Sequence, residues 1–242
     1  MGKADDRPAL LLGQAAAALE PGRYRLAGSF GDPSLAALAL RLGAYRFDRY
    51  RKPRDPVAFD VVEGADAAEV SRLADAAFLA RDLINTPAND LGPDAFEKEI
   101  RAFCKRHKLE IKVIAGEELL KANFPLIHAV GRAAAEAPRL VEFTWGKAKD
   151  PKVTLVGKGV TFDTGGLDIK PSAGMLLMKK DMGGAANILG LAHAIVDAGL
   201  RLRLRVLIPI VENAISGPAF RPGDVLRARN GSTVEIGNTD AE

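Results

Sequence analysis

VGKGVTFDTGGLDIKPSAGMLLMKKDM, spanning Val156 to Met182, sets Lys158, Asp163, Lys170 and Asp181 among glycines and apolar residues. The chain's last five residues, NTDAE, add Asp240 and Glu242. Both blocks adjoin apolar runs that read as buried strands. A charge in such a place costs several kcal/mol unless it is paired or bound to a metal. Carboxylates and amines gathered in this way call for a reason, and hard divalent cations are the simplest one.

The local pattern supports that reading. Asp163 follows the strand-like VGKGVTF and precedes Thr164-Gly165-Gly166. Ligands bind at the carboxyl ends of strands in open α/β sheets, and glycines let the backbone turn sharply or approach a ligand closely. Asp181 lies just before a helix opening Gly183-Gly184-Ala185. In an extended chain Asp240 and Glu242 point to one face. Meeting Asp163 and Asp181, they could hold two cations through bridging oxygens. Such cations, about 3.5–4 Å apart, activate a shared water and polarise a carbonyl.

Outward from this stretch, helices and strands alternate. Pro93 to His107 is helical, with Phe96, Ile100 and Phe103 on one face. Glu110–Gly116 is a strand, Glu117–Lys121 begins a helix, and Leu126–Gly131 leads into an alanine-rich loop. Arg139–Trp145, Val153–Val156 and Leu204–Val211 are strands, with a helix of small residues, Gly183–Gly199, before the last. Val225–Arg229 and Thr233–Ile236 flank Asn230-Gly231 as a hairpin. Apolar strands alternating with helices predict an α/β fold with a mixed, mostly parallel sheet flanked by helices.

Asp66 to Asn85 is the clearest helix, with Asp66 as N-cap and Val70, Leu73, Ala77, Leu79 and Leu83 at roughly helical spacing. Pro87 stops it, and Asn89-Asp90 turn the chain. Ahead of it lies a small α/β region. It contains an apolar run at Ala9–Gln14, a short strand within Tyr24–Phe30, and a helix over Ser34–Leu42 with Ser34 near the cap. A basic, aromatic segment, Tyr45–Pro56, and a strand at Ala58–Val62 follow. The segment is short and has no motif frame, so it reads as a helix end and exposed loop. The division that follows is 1–65 as a short N-terminal domain, 66–86 as a connecting helix and 87–242 as the main domain.

Composition narrows the class. At 242 residues the chain can bury a large core, and its net charge of +3 is too slight for a nucleic-acid footprint. Arg201, Arg203 and Arg205 alternate with apolar residues, the pattern of a strand's solvated side. The single cysteine, Cys104, excludes a disulfide framework and reads as a packing residue. The N-terminus lacks a basic-then-apolar leader, and no apolar run is long enough to span a bilayer. The expected location is the cytoplasm, away from membranes. His107, His128 and His193 fall outside the motifs and read as packing or surface residues. Lys179 and Lys180 read as solvated, and Glu212-Asn213 as structural.

KGVTFDTGGLDIKP, then MKKDMGGAA, then NTDAE closely resemble the leucyl aminopeptidase family, the two-metal M17 metallopeptidases of the cytosol. The resemblance covers roughly Asn85 to Glu242, with NTPAND at its front edge. It implies that residues 87–242 are the first part of a metallopeptidase catalytic domain. It further implies that Asp163, Asp240 and Glu242 are metal ligands, with Asp163 and Glu242 bridging, and that Lys158 and Asp181 complete a more labile site. Lys170 would contact the scissile carbonyl oxygen and stabilise its developing charge. Met178 and Asn238 match positions lining the substrate site. The cofactors implied are two divalent ions, zinc or manganese, and a bicarbonate proposed as general base. The substrates are peptides, from which N-terminal leucine-like residues are released, and the assembly is a homohexamer. An amine binds metal only when deprotonated, so Lys158 is expected to be neutral there. Asp168 departs from the small or polar residue expected at its place and reads as surface or outer shell.

In the family the last motif continues Glu-Gly-Arg, and that arginine holds the bicarbonate. It would fall two residues beyond Glu242, so the sequence reads as truncated and the fragment alone as inactive. Family members that bind DNA as regulators supply the alternative function, which a charge of +3 does not favour. A nucleotide-binding domain is disfavoured because neither GxGxxG nor GxxxxGK[ST] is present.

Overall fold

A computed structural model of the chain describes residues 10–28 and 31–242. The N-terminal elements are α1 (Leu12–Ala18), β1 (Gly22–Tyr24), α2 (Pro33–Ala44) and β2 (Val57–Phe59). β1 and β2 pair in parallel, Tyr24 beside Phe59, with the two rings 6.1 Å apart. This pairing moves the first strand ahead of the expected Tyr24–Phe30, of which Ser29 and Phe30 lie outside the described residues. It also ends the second at Phe59 rather than Val62.

Asp32, not Ser34, caps α2 by accepting from Leu35 N at 3.0 Å. Ser34 Oγ instead accepts from Asp66 N at 2.9 Å, joining the start of α2 to the start of α3 (Ala67–Asn85). α3 is capped as its sequence predicts: Asp66 Oδ1 accepts from Ala68 N and Glu69 N, both at 3.0 Å. The basic segment after α2 is tied down in its first half, while residues 51–56 are exposed as expected of a loop. Tyr45 OH donates to Asp82 at 2.6 Å, Arg46 to Ala17 O at 3.0 Å, and Tyr50 OH to Asp90.

The main sheet is built from β3 (Glu110–Ala115), β4 (Arg139–Trp145), β5 (Lys152–Val156), β6 (Gly159–Asp163) and β7 (Arg203–Asn213). Its order is β3-β4-β7-β5, with β6 also on β7. β4 runs antiparallel to both neighbours, while β5 and β6 are parallel to β7. Four strands therefore share one direction and β4 opposes them, which gives the expected mixed sheet. β7 alternates as its arginines predict: Leu204, Val206, Ile208 and Ile210 are fully buried, and Arg205 reaches across to Glu142 at 2.7 Å. Each such apolar side chain is worth about 1.5–3 kcal/mol.

α4 (Pro93–His107) contributes Phe96, Ile100 and Phe103 to the same core, the face read from its spacing. Cys104 is buried beside them, and burial pushes its thiol up to about 12. Two short helices, α5 (Glu118–Lys121) and α6 (Pro125–Gly131), link β3 to β4. α7 (Ser172–Met175) and a 3₁₀ turn (Met178–Met182) lead into α8 (Gly183–Asp197). α8 lies against α3, and a Cβ at Gly190 would stand 2.6 Å from Ala76 O. Only glycine allows that approach, which is why this helix is rich in small residues. β8 (Val225–Arg227) and β9 (Thr233–Glu235) form the expected hairpin around Asn230-Gly231. Among the described residues, no helix is long and apolar enough to cross a membrane.

Candidate metal centre

β5 and β6 lie along the same side of β7 and are separated by Gly157-Lys158. The interruption is locked: Gly157 N donates to Leu207 O at 3.1 Å, and Ala185 N, at the head of α8, donates to Lys158 O at 2.9 Å. Breaks of this kind re-aim a side chain out of the ladder. Lys158 emerges there, with Nζ 2.9 Å from Glu242 and 3.0 Å from Asp181. β6 then ends on Asp163, beyond a register shift against β7.

Asp163 is 2% exposed, and its Oδ1 accepts from Gly165 N at 2.8 Å and from Asn213 Nδ2 at 2.9 Å. Lys170 Nζ lies 2.9 Å from its Oδ2 and also contacts Asp240. Burial pushes the Asp163 carboxyl up, but Lys170, the Gly165 amide and Asn213 hold it below the usual range. Lys170 is driven well above a normal lysine by Asp240 and Asp163 against its burial. Lys158 is also raised: burial opposes its charge, and Glu242 and Asp181 outweigh burial. Glu242 is raised chiefly by burial, with Lys158 opposing.

One oxygen each from Asp163, Asp181 and Glu242 lie within 4.8 Å of one another. The Glu242 side chain is only 1% exposed, and its Oε2 has no hydrogen-bond partner. Asp181 Oδ2 and Asp240 Oδ1 are within ion-pair reach of a lysine but lack hydrogen-bond geometry. Buried oxygens left in this state are the donors that a hard cation would satisfy. The residues present fit such an ion.

The expected residues are not all placed as the motif suggests. Residues 238–242 form a turn at Thr239-Asp240, not an extended strand. Asp240 and Glu242 therefore go to different lysines, Lys170 and Lys158. Asp240 joins the three converging oxygens through Lys170, which it shares with Asp163. Met178 is half-buried at the head of the 3₁₀ turn. Asn238 is exposed, and its Oδ1 accepts from Asp240 N at 2.7 Å. Lys179 is not solvated: its Nζ donates to Asn85 O at 2.6 Å, at the end of α3 where free carbonyls favour a cation. The histidines stay outside the centre, His107 facing His193 at 3.2 Å and His128 facing Glu117 at 3.1 Å.

In the sequence Glu212-Asn213 reads as structural, but nothing there says that Asn213 and Thr239 support this centre. Asn213 is 1% exposed and bridges Asp163 to Thr239 O, and Thr239 is fully buried. Parallel pairing sets Asp163 opposite Asn213 at the carboxyl ends of β6 and β7. Neighbouring strand ends were the signal available for Asn213. Nothing in NTDAE marks Thr239.

The profile described as "Cytosol aminopeptidase family, catalytic domain" matches residues 78–242. The chain belongs to the cytosol aminopeptidase family. It is 39% identical over 225 residues to a probable cytosol aminopeptidase of Rhizobium rhizogenes, covering 85% of this chain and 45% of that protein. The crystal structure of the Coxiella burnetii cytosol aminopeptidase superposes with a TM-score of 0.91 at 45% identity, over 100% of this chain and 53% of that one. The bottromycin maturation enzyme BotP, solved in complex with Mn, superposes at 0.87 and 41% identity, over 99% of this chain and 55% of that one. The chain thus spans about half the length of the cytosol aminopeptidases it matches.

Proposed function

We propose that this chain carries the metal-holding part of a two-metal aminopeptidase. Lys158, Asp163, Asp181, Asp240 and Glu242 are the ligands, and Lys170 is the electrophilic residue. The observation that carries the reading is the convergence of Asp163, Asp181 and Glu242 oxygens within 4.8 Å, in a member of the cytosol aminopeptidase family. Carboxylates and one amine suit zinc or manganese. Such ions would lower the pKa of a shared water and polarise a peptide carbonyl.

The protein's own groups supply the remainder. Lys158 lies between Glu242 and Asp181, and its Nζ would be a ligand only in the neutral form, its proton passing to solvent. Lys170, kept protonated by Asp240 and Asp163, presents a fixed cation where the scissile carbonyl oxygen gains charge. Met178 offers apolar surface to the first side chain of a leucine-like peptide, and Asn238 also lines the substrate site. The division into 1–65, 66–86 and 87–242, a homohexameric assembly and a cytoplasmic location belong to the same proposal.

Metal content is the test. Wild-type protein equilibrated with Mn²⁺ should hold two ions per chain by elemental analysis, and Lys158→Arg about one, because arginine stays protonated. Two ions retained by Lys158→Arg would remove Lys158 from the ligand set. Residues 1–242 alone are expected to bind the ions yet release leucine from peptides poorly. Enzyme-like turnover by them would overturn that expectation.

A further inference from the structure

Two segments of the chain have to meet for the centre to exist. One is the loop from Thr164 to Lys170, and the other is the turn from Asn238 to Glu242. The contacts between them converge on Thr239, which is fully buried. Thr239 N donates to Asp168 Oδ2 at 2.7 Å, and Asp168 N donates back to Thr239 Oγ1 at 2.9 Å. The Thr239 hydroxyl donates to Gly165 O at 2.6 Å and lies 3.1 Å from Asp168 Oδ2. Gly166 holds φ +64° directly beneath, and a Cβ there would stand 2.9 Å from Thr239 Oγ1.

We infer that Asp168 is a positioning residue for the metal centre: through Thr239 it fixes the register between the loop carrying Lys170 and the turn carrying Asp240 and Glu242. This rests on the two-metal reading above. Asp168 is two residues from Lys170, and Thr239 is one from Asp240, and those two charged side chains pair across the junction. The Asp168 carboxylate is committed to a backbone amide and a hydroxyl, so it acts on the ions only through the residues it places. Partners of this outer kind change metal affinity by about 10–100-fold when removed. Asp168, where the motif carries a small or polar residue, supplies the acceptor that reaches the Thr239 amide.

The test is Mn²⁺ titration of the full chain, followed by electron paramagnetic resonance for the spin-coupled pair, with circular dichroism to show that each variant is folded. Asp168→Ala should weaken binding of one ion by about 10–100-fold and lose the coupled signal. Asp168→Asn, whose amide oxygen still accepts from Thr239 N, should recover most of both. Should Asp168→Ala not fold, Thr239→Ser and Thr239→Val repeat the comparison, the serine retaining both ions and the valine losing one. A folded Asp168→Ala or Thr239→Val with wild-type affinity and an intact coupled signal would overturn the inference while leaving two-metal binding standing. A wild-type chain that binds no coupled pair would overturn the two-metal reading itself, and this inference with it.

Discussion

The molecule buries two clusters of opposite charge, and they are built differently. Around Arg139, which is 6% exposed, the guanidinium donates to Glu97 at 2.7 Å, to Ala137 O and to Asp94. Glu97 also accepts from Arg101 at 2.7 Å. Burial pushes the Glu97 carboxyl up, but Arg101 and Arg139 hold it below the usual range. Among the described residues, no buried side-chain oxygen of that cluster lacks a partner. Around Asp163, lysines and carboxylates are equally close, yet Asp181, Asp240 and Glu242 each keep an oxygen without a hydrogen bond. A completed network joins α4 to β4. An incomplete one lies at the carboxyl ends of β6 and β7.

The largest effect should come from breaking the completed network. Arg139→Met removes the buried guanidinium's bonds to Glu97, Asp94 and Ala137 O and leaves the mostly buried Glu97 with Arg101 alone, which should lower stability by about 3 kcal/mol in chemical unfolding. That is the low end for a buried pair, because Asp94 is half-exposed and water can take over its charge. A loss under about 1 kcal/mol would mean that the network is no more than a surface ion pair.

The incomplete cluster should respond to metal instead. Mn²⁺ at about one hundred times the dissociation constant of one site should stabilise the wild type by about 2.7 kcal/mol through that site. It should stabilise Arg139→Met by the same amount. Asp163→Asn, which retains the shape but not the charge, should lose most of that gain. Equal stabilisation of Asp163→Asn would erase the distinction between the clusters.

The difference between the clusters bears on what a sequence reveals. The elements around the sheet follow from local pattern: the α4 face of Phe96, Ile100 and Phe103, the Asp66 cap, the alternation in β7. The carriers of charge in the centre are legible for the same reason, since lysine and aspartate stand out among glycines. The supports are only partly legible: Asn213 reads as structural, but what it and Thr239 hold depends on residues brought close by folding. The turn at Thr239 likewise defeats a reading that assumes an extended chain. At the N-terminus the caps and strand limits shift because β1 and β2 define each other by pairing. Ser34 left the cap of α2 for a long-range bond to Asp66 that spacing does not encode.

A third polar pair, satisfied only when neutral, gives the smallest effect and the sharpest contrast. His107, at the end of α4, and His193, on α8, share one hydrogen bond at 3.2 Å. Burial lowers the His107 pKa from its ordinary 6.5, the charge on His193 and then Arg106 lower it further, and Asp197 opposes them. The unfolded chain therefore takes up a proton at a higher pH than the folded one. Above pH of about 6.5 His107 contributes no pH dependence, and as pH falls through that value stability is lost until the folded His107 also titrates. The sign is opposite to that of Lys158 and Lys170, whose raised pKa values favour the folded state throughout this range. Buried carboxyls such as Glu212 and Glu242 also titrate with shifted values, so the quantity to follow is the difference between wild type and His107→Phe. Unfolding midpoints measured from pH 7.5 to 5 should converge or cross as the wild type loses stability and the phenylalanine variant does not. A difference that stays constant across that interval would show that His107 is not coupled to folding through its proton.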